Sequence, residues 1–215
     1  MRIRKKKHAD TRLAECKGYY IENPSEYKGK WQTVFPSEGE LHLEIGCGKG
    51  RFITESARLN PKINYIAVEV CLDVLVLAAE TAKNAELKNV KFVLADAKTL
   101  CDIFADGEID RIYLNFSDPW PKNRHYKRRL TYKDFLDIYV KILKKDCPIF
   151  FKTDNRNLFE FSLNSFCDNN FQLKNITLDL HNSGFKGNVM TEYEERFSAG
   201  GNPIYRLEAT YREDK

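Results

Sequence analysis

An open α/β fold is what this sequence predicts: a mostly parallel, seven-stranded sheet with helices on both faces and a C-terminal antiparallel hairpin. Three observations predict it. From residue 40 onward, short apolar runs alternate with stretches of helical periodicity, as in successive βαβ units. A glycine turn, Gly46-Cys47-Gly48-Lys49-Gly50, follows the first apolar run directly. The chain then closes with two alternating stretches joined by a long, glycine-bearing connection.

Residues 1–38 precede this pattern. They are polar, carry Pro24 and Pro36, and are punctuated by Tyr19, Tyr20, Tyr27, Trp31 and Phe35. This reads as a basic, aromatic arm, extended and anchored by its rings, with its first dozen residues flexible. Residues 39–215 form the domain. Residues 41–45 are the first strand, followed by a helix over 51–59 and a second strand at 65–68. Next comes a helix whose Leu72, Leu75, Val76, Ala79 and Ala82 share one apolar face. Residues 90–94 and 111–116 are the third and fourth strands. Thr131 and Asp134 resemble a capping box opening a helix that buries Phe135, Ile138, Tyr139 and Ile142. The fifth strand is 148–152, and Phe159, Leu163 and Phe166 mark the helix after it. Stretches 171–180 and 204–211 form the closing hairpin.

A chain of 215 residues supports one substantial domain, burying roughly 70% of its unfolded surface. No apolar run approaches the roughly 18 residues that span a membrane, and no apolar segment follows the basic start, so a cytoplasmic location is expected. The six cysteines are scattered without a C-x-x-C pair or a histidine cluster. They read as buried free thiols, and no metal site is expected. Net charge is only +4, but ten of the 35 Lys and Arg residues form two runs without acids: Arg2, Arg4, Lys5, Lys6, Lys7, and Lys122, Arg124, Lys127, Arg128, Arg129. The remaining 25 cations stand against 31 acids. Positive charge concentrated in this way suits local contact with phosphates.

The G-x-G-x-G turn lets the backbone approach a ligand closely, and its spacing differs from the G-x-G-x-x-G of dinucleotide sites. Glu44 lies at the end of the first strand. Glu69 ends the second, where a carboxylate can accept both hydroxyls of a ribose. Asp96 follows the third and can accept from an adenine amino group. Carboxylates at three successive strand ends point to an adenosine-containing cofactor. Ser117-Asp118-Pro119-Trp120-Pro121-Lys122 follows the fourth strand, and its two prolines stiffen the loop that presents Asp118 and the indole. The cationic stretch Asn123-Arg124-His125-Tyr126-Lys127-Arg128-Arg129 comes next.

Residues 44–50, Ser117 through Leu130 and the stretch Thr191-Glu192-Tyr193-Glu194 together resemble the bacterial tRNA (guanine-N7-)-methyltransferases, over most of the chain from about residue 38. The resemblance implies a Rossmann-like class I methyltransferase that uses S-adenosyl-L-methionine and takes tRNA as substrate, as a monomer or homodimer with no membrane partner. It implies that Glu44, Gly46, Gly48, Glu69, Asp96 and Asp118 bind the cofactor, with Asp118 at the reaction centre. It further implies that Lys122, Arg124, His125, Tyr126, Lys127, Arg128 and Arg129, with Asp154, Thr191, Glu192, Tyr193 and Glu194, hold the RNA or its guanine in the variable loop. Asn123 departs from the basic residue often found there.

Other readings stand beside these. Asp154 fits a helix N-cap, Glu194 and Arg196 fit a surface ion pair, and Tyr193 fits a core position. Two alternatives keep the fold: a methyltransferase for another RNA base or an amine, although amino methyltransferases often carry an Asn/Asp-Pro-Pro-aromatic loop where this chain has Asp-Pro-Trp-Pro, and a non-catalytic RNA-binding subunit, against which Glu44, Gly46, Gly48, Glu69 and Asp118 argue.

Overall fold

In the computed structural model, which describes residues 8–213, the apolar runs form a single sheet. The cationic run at 2–7 lies outside the described residues. In chain order the elements are α1 (Ala9–Ala14), β1 (Leu41–Ile45), α2 (Arg51–Leu59), β2 (Asn64–Glu69), α3 (Leu72–Asn84), β3 (Val90–Leu94), α4 (Leu100–Ile103), β4 (Arg111–Asn115), α5 (Lys133–Ile142), β5 (Pro148–Thr153), α6 (Arg156–Asp168), β6 (Phe171–Thr177), α7 (Glu192–Ala199) and β7 (Tyr205–Tyr211). The strand order is β3-β2-β1-β4-β5-β7-β6. The first five strands are parallel, and β7 runs antiparallel to both β5 and β6. This is the predicted architecture. The order reverses between β1 and β4, which opens a crevice at their carboxyl ends, where ligands bind in such sheets.

Period-two alternation divides the strand residues between two cores. Leu41, Leu43, Ile66, Val68, Ile112, Leu114, Ile149 and Phe151 pack with Leu100, Leu136, Tyr139, Phe159 and Phe166 of α4, α5 and α6. On the other side, Tyr65, Ala67 and Phe92 pack with Phe52 and Ile53 of α2 and Leu75 and Ala79 of α3. Each Val, Leu, Ile or Phe side chain among them contributes roughly 1.5–3 kcal/mol on full burial.

Residues of the arm join both cores. In α1, Leu13 is buried, and Arg12 donates to Glu80 of α3 from Nε at 2.8 Å and Nη2 at 2.6 Å. Tyr20 bridges to Phe92 beside β3, with Ile21 N donating to Phe92 O at 3.0 Å. Trp31 is fully buried, and its indole N–H donates to Ile103 O at 2.9 Å.

Four local expectations are corrected. Thr131 does not cap α5: the N-cap is Tyr132, without a side-chain bond, and the Thr131 hydroxyl pairs instead with Ser162 Oγ at 2.8 Å inside the core. Strand β6 ends at Thr177, because the ladder to β7 shifts register between Lys174 and Thr177, around Asn175 at φ 50°. Leu180 still pairs, its N–H donating to Ile204 O at 2.8 Å. The connection to β7 carries α7. The cysteines are all free, but only Cys16 and Cys47 are buried.

Candidate active site at the strand tips

The glycine turn after β1 is built by conformation at some positions and by close packing at another. Gly46 and Gly48 have φ of 78° and 56°, with open space where a Cβ would stand. Gly50, at φ 79°, opens α2 against α3: a Cβ there would lie 2.5 Å from the Ala78 Cβ. Glu69 holds the turn from the next strand. Its Oε2 accepts from Gly48 N at 3.0 Å, and its Oε1 accepts from Val70 N at 2.9 Å and Cys71 N at 3.0 Å. Three of about four carboxylate lone-pair sites are thus used by backbone, and the remaining one is on Oε2.

Asp96 is exposed, and its Oδ1 accepts from Lys98 N at 2.9 Å, which leaves Oδ2 open. A cavity of about 390 Å³ brings Gly46, Glu69 and Asp96 together, with Ile45, Val68, Ala97, Leu130 and Phe135 as apolar walls and Trp120 and Arg128 among its lining residues. Its volume and mixed lining suit a ligand of nucleoside size. Gly48, Glu44 and Asp118 are outside that lining. Gly48 stands just behind it, bonded to Glu69.

Glu44 is buried at the tip of β1, on the sheet face opposite Leu43. Its Oε1 accepts from Asn115 Nδ2 of β4 at 2.9 Å, while Oε2 is buried with no hydrogen-bond partner. Burial pushes its carboxyl from 4.5 up to about 7, the Asn115 bond and the Lys152 cation opposing the rise and Glu69 adding to it. A buried orphan carboxylate oxygen calls for a donor. The hydroxyl and ammonium groups of an adenosyl amino-acid cofactor are donors of that kind, so the residues present fit such a group.

The loop after β4 is strained and pinned. Phe116 and Trp120 hold left-handed φ of 52° and 40°, uncommon for bulky residues and found mostly where structure is over-determined. Arg129 fixes the loop from behind, Nε donating to Pro119 O at 3.0 Å and Nη2 to Trp120 O at 3.3 Å, with its guanidinium 4.4 Å over the Phe161 ring. Arg128 lies over the Trp120 indole at 4.9 Å. Asp118 is exposed between these anchors. The following residues form a 3-10 segment, Asn123–Arg128, whose N-cap is Lys122. Arg124 Nε reaches His125 Nε2 at 3.3 Å, His125 meets Trp120 edge-on at 5.8 Å, and Tyr126 meets Tyr132 edge-on at 5.2 Å. Among the described residues, none of Lys122, Arg124, Lys127, Arg128 and Arg129 forms an ion pair with an acid, whereas twelve Lys or Arg pairs with acids occur elsewhere. Of this run, Arg129 is turned inward and Arg128 lines the cavity beside Trp120. Lys122, Arg124 and Lys127 remain as exposed, uncompensated charge.

The third group of residues gathers at the tip of β5. Thr191 caps α7 in a reciprocal box with Glu194, its hydroxyl accepting from Glu194 N at 2.9 Å. Glu194 is fully buried and pairs with Lys152 at 2.7 Å, so it is no surface partner of Arg196; Arg196 pairs with Glu192 at 3.2 Å. Glu192 also takes Lys49 at 2.9 Å. Tyr193 is 41% exposed and so is not a core residue. Its hydroxyl donates to Asp154 at 3.2 Å, and its ring lies 5.3 Å from Phe116 and 4.4 Å from Phe197. Burial, reinforced by the adjacent Asp154 charge, raises that hydroxyl to about 12. Asp154 is not the N-cap of α6; Asn155 is, accepting from Leu158 N at 2.8 Å. Asn115 and Lys152 are the polar residues at these tips that motif reading missed. Their sequence signal is a polar residue closing an otherwise apolar strand.

Comparison with known proteins fits this geometry. Residues 38–207 match the model of a family described as putative methyltransferase. The tRNA (guanine-N(7)-)-methyltransferase of Bacillus subtilis (strain 168) is 54% identical over 212 residues, covering 99% of this chain and 100% of that one. Solved structures share the fold at lower identity. The 16S rRNA methyltransferase KamB superposes with a TM-score of 0.64 at 14% identity, over 86% of this chain and 94% of that one. The [4+2]-cyclase SpnF gives 0.58 at 17% identity, over 89% and 80%. A match across 38–207, joined to full-length identity above one half, is decisive: this chain belongs to that methyltransferase family.

Proposed function

We propose that this protein transfers a methyl group from S-adenosyl-L-methionine to N7 of a guanine in the variable loop of tRNA. One observation carries the reading: Trp120 of the stiff Asp-Pro-Trp-Pro loop lines the cavity of Glu69 and Asp96, and the loop continues directly into a cationic segment that forms no ion pair with an acid among the described residues. A cofactor cavity and a phosphate-binding surface thereby share one wall. Relatives named as tRNA (guanine-N(7)-)-methyltransferases over their full length support the same choice of acceptor.

When bound, the cofactor supplies an electrophilic methyl carbon on a sulfonium. Glu69 would accept from one ribose hydroxyl through the single open site on Oε2, and Asp96 would accept from the adenine amino group through Oδ2. The orphan Oε2 of Glu44 takes a further donor. Guanine N7 carries an in-plane lone pair and no proton, so no general base is needed, and the chain's task is alignment. The N7 lone pair would become the bond to the methyl carbon as the sulfur–methyl bond breaks and the donor leaves as a neutral thioether, so the positive charge passes from sulfur to the base. Asp118, exposed beside the cavity wall, orients the base and offsets that charge. Lys122, Arg124 and Lys127 hold phosphates, with Arg128 at the border between RNA and cofactor. Asp154 and Tyr193, hydrogen-bonded to each other, with Thr191, flank the base on its far side. Residues 1–38 act as an arm on the domain 39–215, which works in the cytoplasm as a monomer or homodimer.

The test is incubation with methyl-labelled cofactor and unmodified bulk tRNA, followed by mass spectrometry of the nucleosides. Label in 7-methylguanosine is expected; label in an adenine amine, or none, overturns the reading. Asp118→Ala should slow single-turnover transfer by at least a hundredfold while tRNA binding persists. A near-wild-type rate removes Asp118 from the reaction centre.

A further inference from the structure

Lys152, next to last in β5, is buried at 5% exposure. A lysine ammonium has three donors, and all three are committed: to Glu194 Oε2 at 2.7 Å, Asn188 Oδ1 at 3.0 Å and Val189 O at 2.9 Å. Each acceptor lies in the stretch 188–194, which leads into α7. Glu194 returns the hold, its Oε1 accepting from Asn188 Nδ2 at 2.6 Å. On the opposite flank, Lys152 is the register partner of Asn115 in β4, and Asn115 bonds Glu44 of β1. One polar row therefore crosses three adjacent strand tips, from the orphan carboxylate to the start of α7.

The other ties on that stretch each run through an exposed residue: His181 to Glu194 at 3.3 Å, Tyr193 to Asp154 at 3.2 Å and Lys49 to Glu192 at 2.9 Å. Residues 181–187 are all exposed, and 188–190 are only half-buried. Arg206 adds a second clasp by stacking on Phe185 at 4.0 Å. A buried ion pair is a poor device for stability alone, because the desolvation of both charges offsets their attraction and an apolar pair of similar volume serves as well or better. What it supplies that an apolar pair does not is a single directed geometry.

We propose that Lys152 is a positioning residue: it docks the 188–194 stretch onto the strand tips that carry Glu44 and Asn115, and so sets where the acceptor base stands relative to the methyl donor. The identity of the base rests on the function proposed above, whereas the docking itself does not. Three measurements on Lys152→Met test it: hydrogen exchange of the amides at 185–194, affinity for S-adenosyl-L-methionine, and kcat and KM with unmodified tRNA. Exchange at 185–194 is expected to quicken at least tenfold while β1, β2 and β3 stay protected. Cofactor affinity should hold within about twofold. The kcat/KM for tRNA should fall at least a hundredfold.

Because Lys152→Met leaves the buried Glu194 carboxylate without its ammonium partner, with only His181 Nε2 at 3.3 Å and Asn188 Nδ2 at 2.6 Å beside it, a second variant, Lys152→Met with Glu194→Gln, removes both charges. It should regain the wild-type Tm without regaining exchange protection or kcat/KM. Recovery of activity together with Tm overturns the proposal, as does unchanged exchange at 185–194 in both variants. If the wild type forms no methylated guanine while the variants still loosen 185–194, the acceptor assignment fails and the docking role stands.

Discussion

Glu44→Gln separates what this side chain costs the fold from what it does for a ligand. The folded carboxyl ionises at about 7 and its ordinary value is 4.5, the difference arising chiefly from burial. Between those values the folded state keeps a proton that the unfolded chain has lost. Stability is therefore greatest below 4.5, falls as pH rises toward 7, and is flat beyond it. Over the whole window the loss is about 3 kcal/mol. Glutamine preserves the acceptor for Asn115 Nδ2 and carries no charge at any pH. Glu44→Gln should consequently exceed wild type by about 3 kcal/mol at pH 8 but by less than about 1 kcal/mol at pH 5. In a chain of this length the gain at pH 8 corresponds to roughly 5–10 °C in Tm. Affinity for S-adenosyl-L-methionine should fall tenfold or more, since a hydrogen bond to a charged group contributes about 1.5–3 kcal/mol. Urea unfolding at pH 5 and pH 8, with calorimetric titration of the cofactor at pH 8, reads both effects. An equal stability change at the two pH values would refute the ionisation argument. Unchanged affinity would remove Glu44 from the cofactor site.

Gly50→Ala places a Cβ 2.5 Å from the Ala78 Cβ at a left-handed φ, so it should lower stability by about 2 kcal/mol or more and weaken the cofactor with it. A wild-type Tm would show that α2 and α3 separate freely. Replacing Arg124 and Lys127 together by Ala should reduce the slope of log affinity against log salt for tRNA by about 2, leaving cofactor affinity unchanged; an unaltered slope would mean that neither cation meets a phosphate.

The parallel half of the sheet was legible because its strands are apolar runs bounded by turn residues, and a run of that kind has few alternatives. Helix α7 was not legible by the same route. Its only buried residue is Glu194, so hydrophobic periodicity says nothing about it. Its local signal is the pair Thr191 and Glu194 at capping-box spacing. Within the site, Glu69 and Asp96 were readable because each ends or follows a recognisable strand. Asn115 and Lys152 were not, because their partners lie on β1 and α7, and only the strand order β1-β4-β5 makes them neighbours. The inward turn of Arg129 was hidden for a different reason: a guanidinium that pins Pro119 and Trp120 carbonyls looks, in sequence, like one more cation in a solvated run.

The fold does not select the chemistry. A methyltransferase and a [4+2]-cyclase share this sheet, so the selection must reside in what stands at its strand tips. In this chain three unfavourable features stand there. A buried carboxylate oxygen lacks a donor, two bulky residues hold left-handed φ within five positions of each other, and a lysine and a glutamate are buried together. Each opposes folding, and each has an apolar or relaxed replacement that sheet packing alone would accept. Their position around β1, β4 and β5 fits the function proposed above, in which a bound cofactor would bring the donor that Glu44 Oε2 lacks.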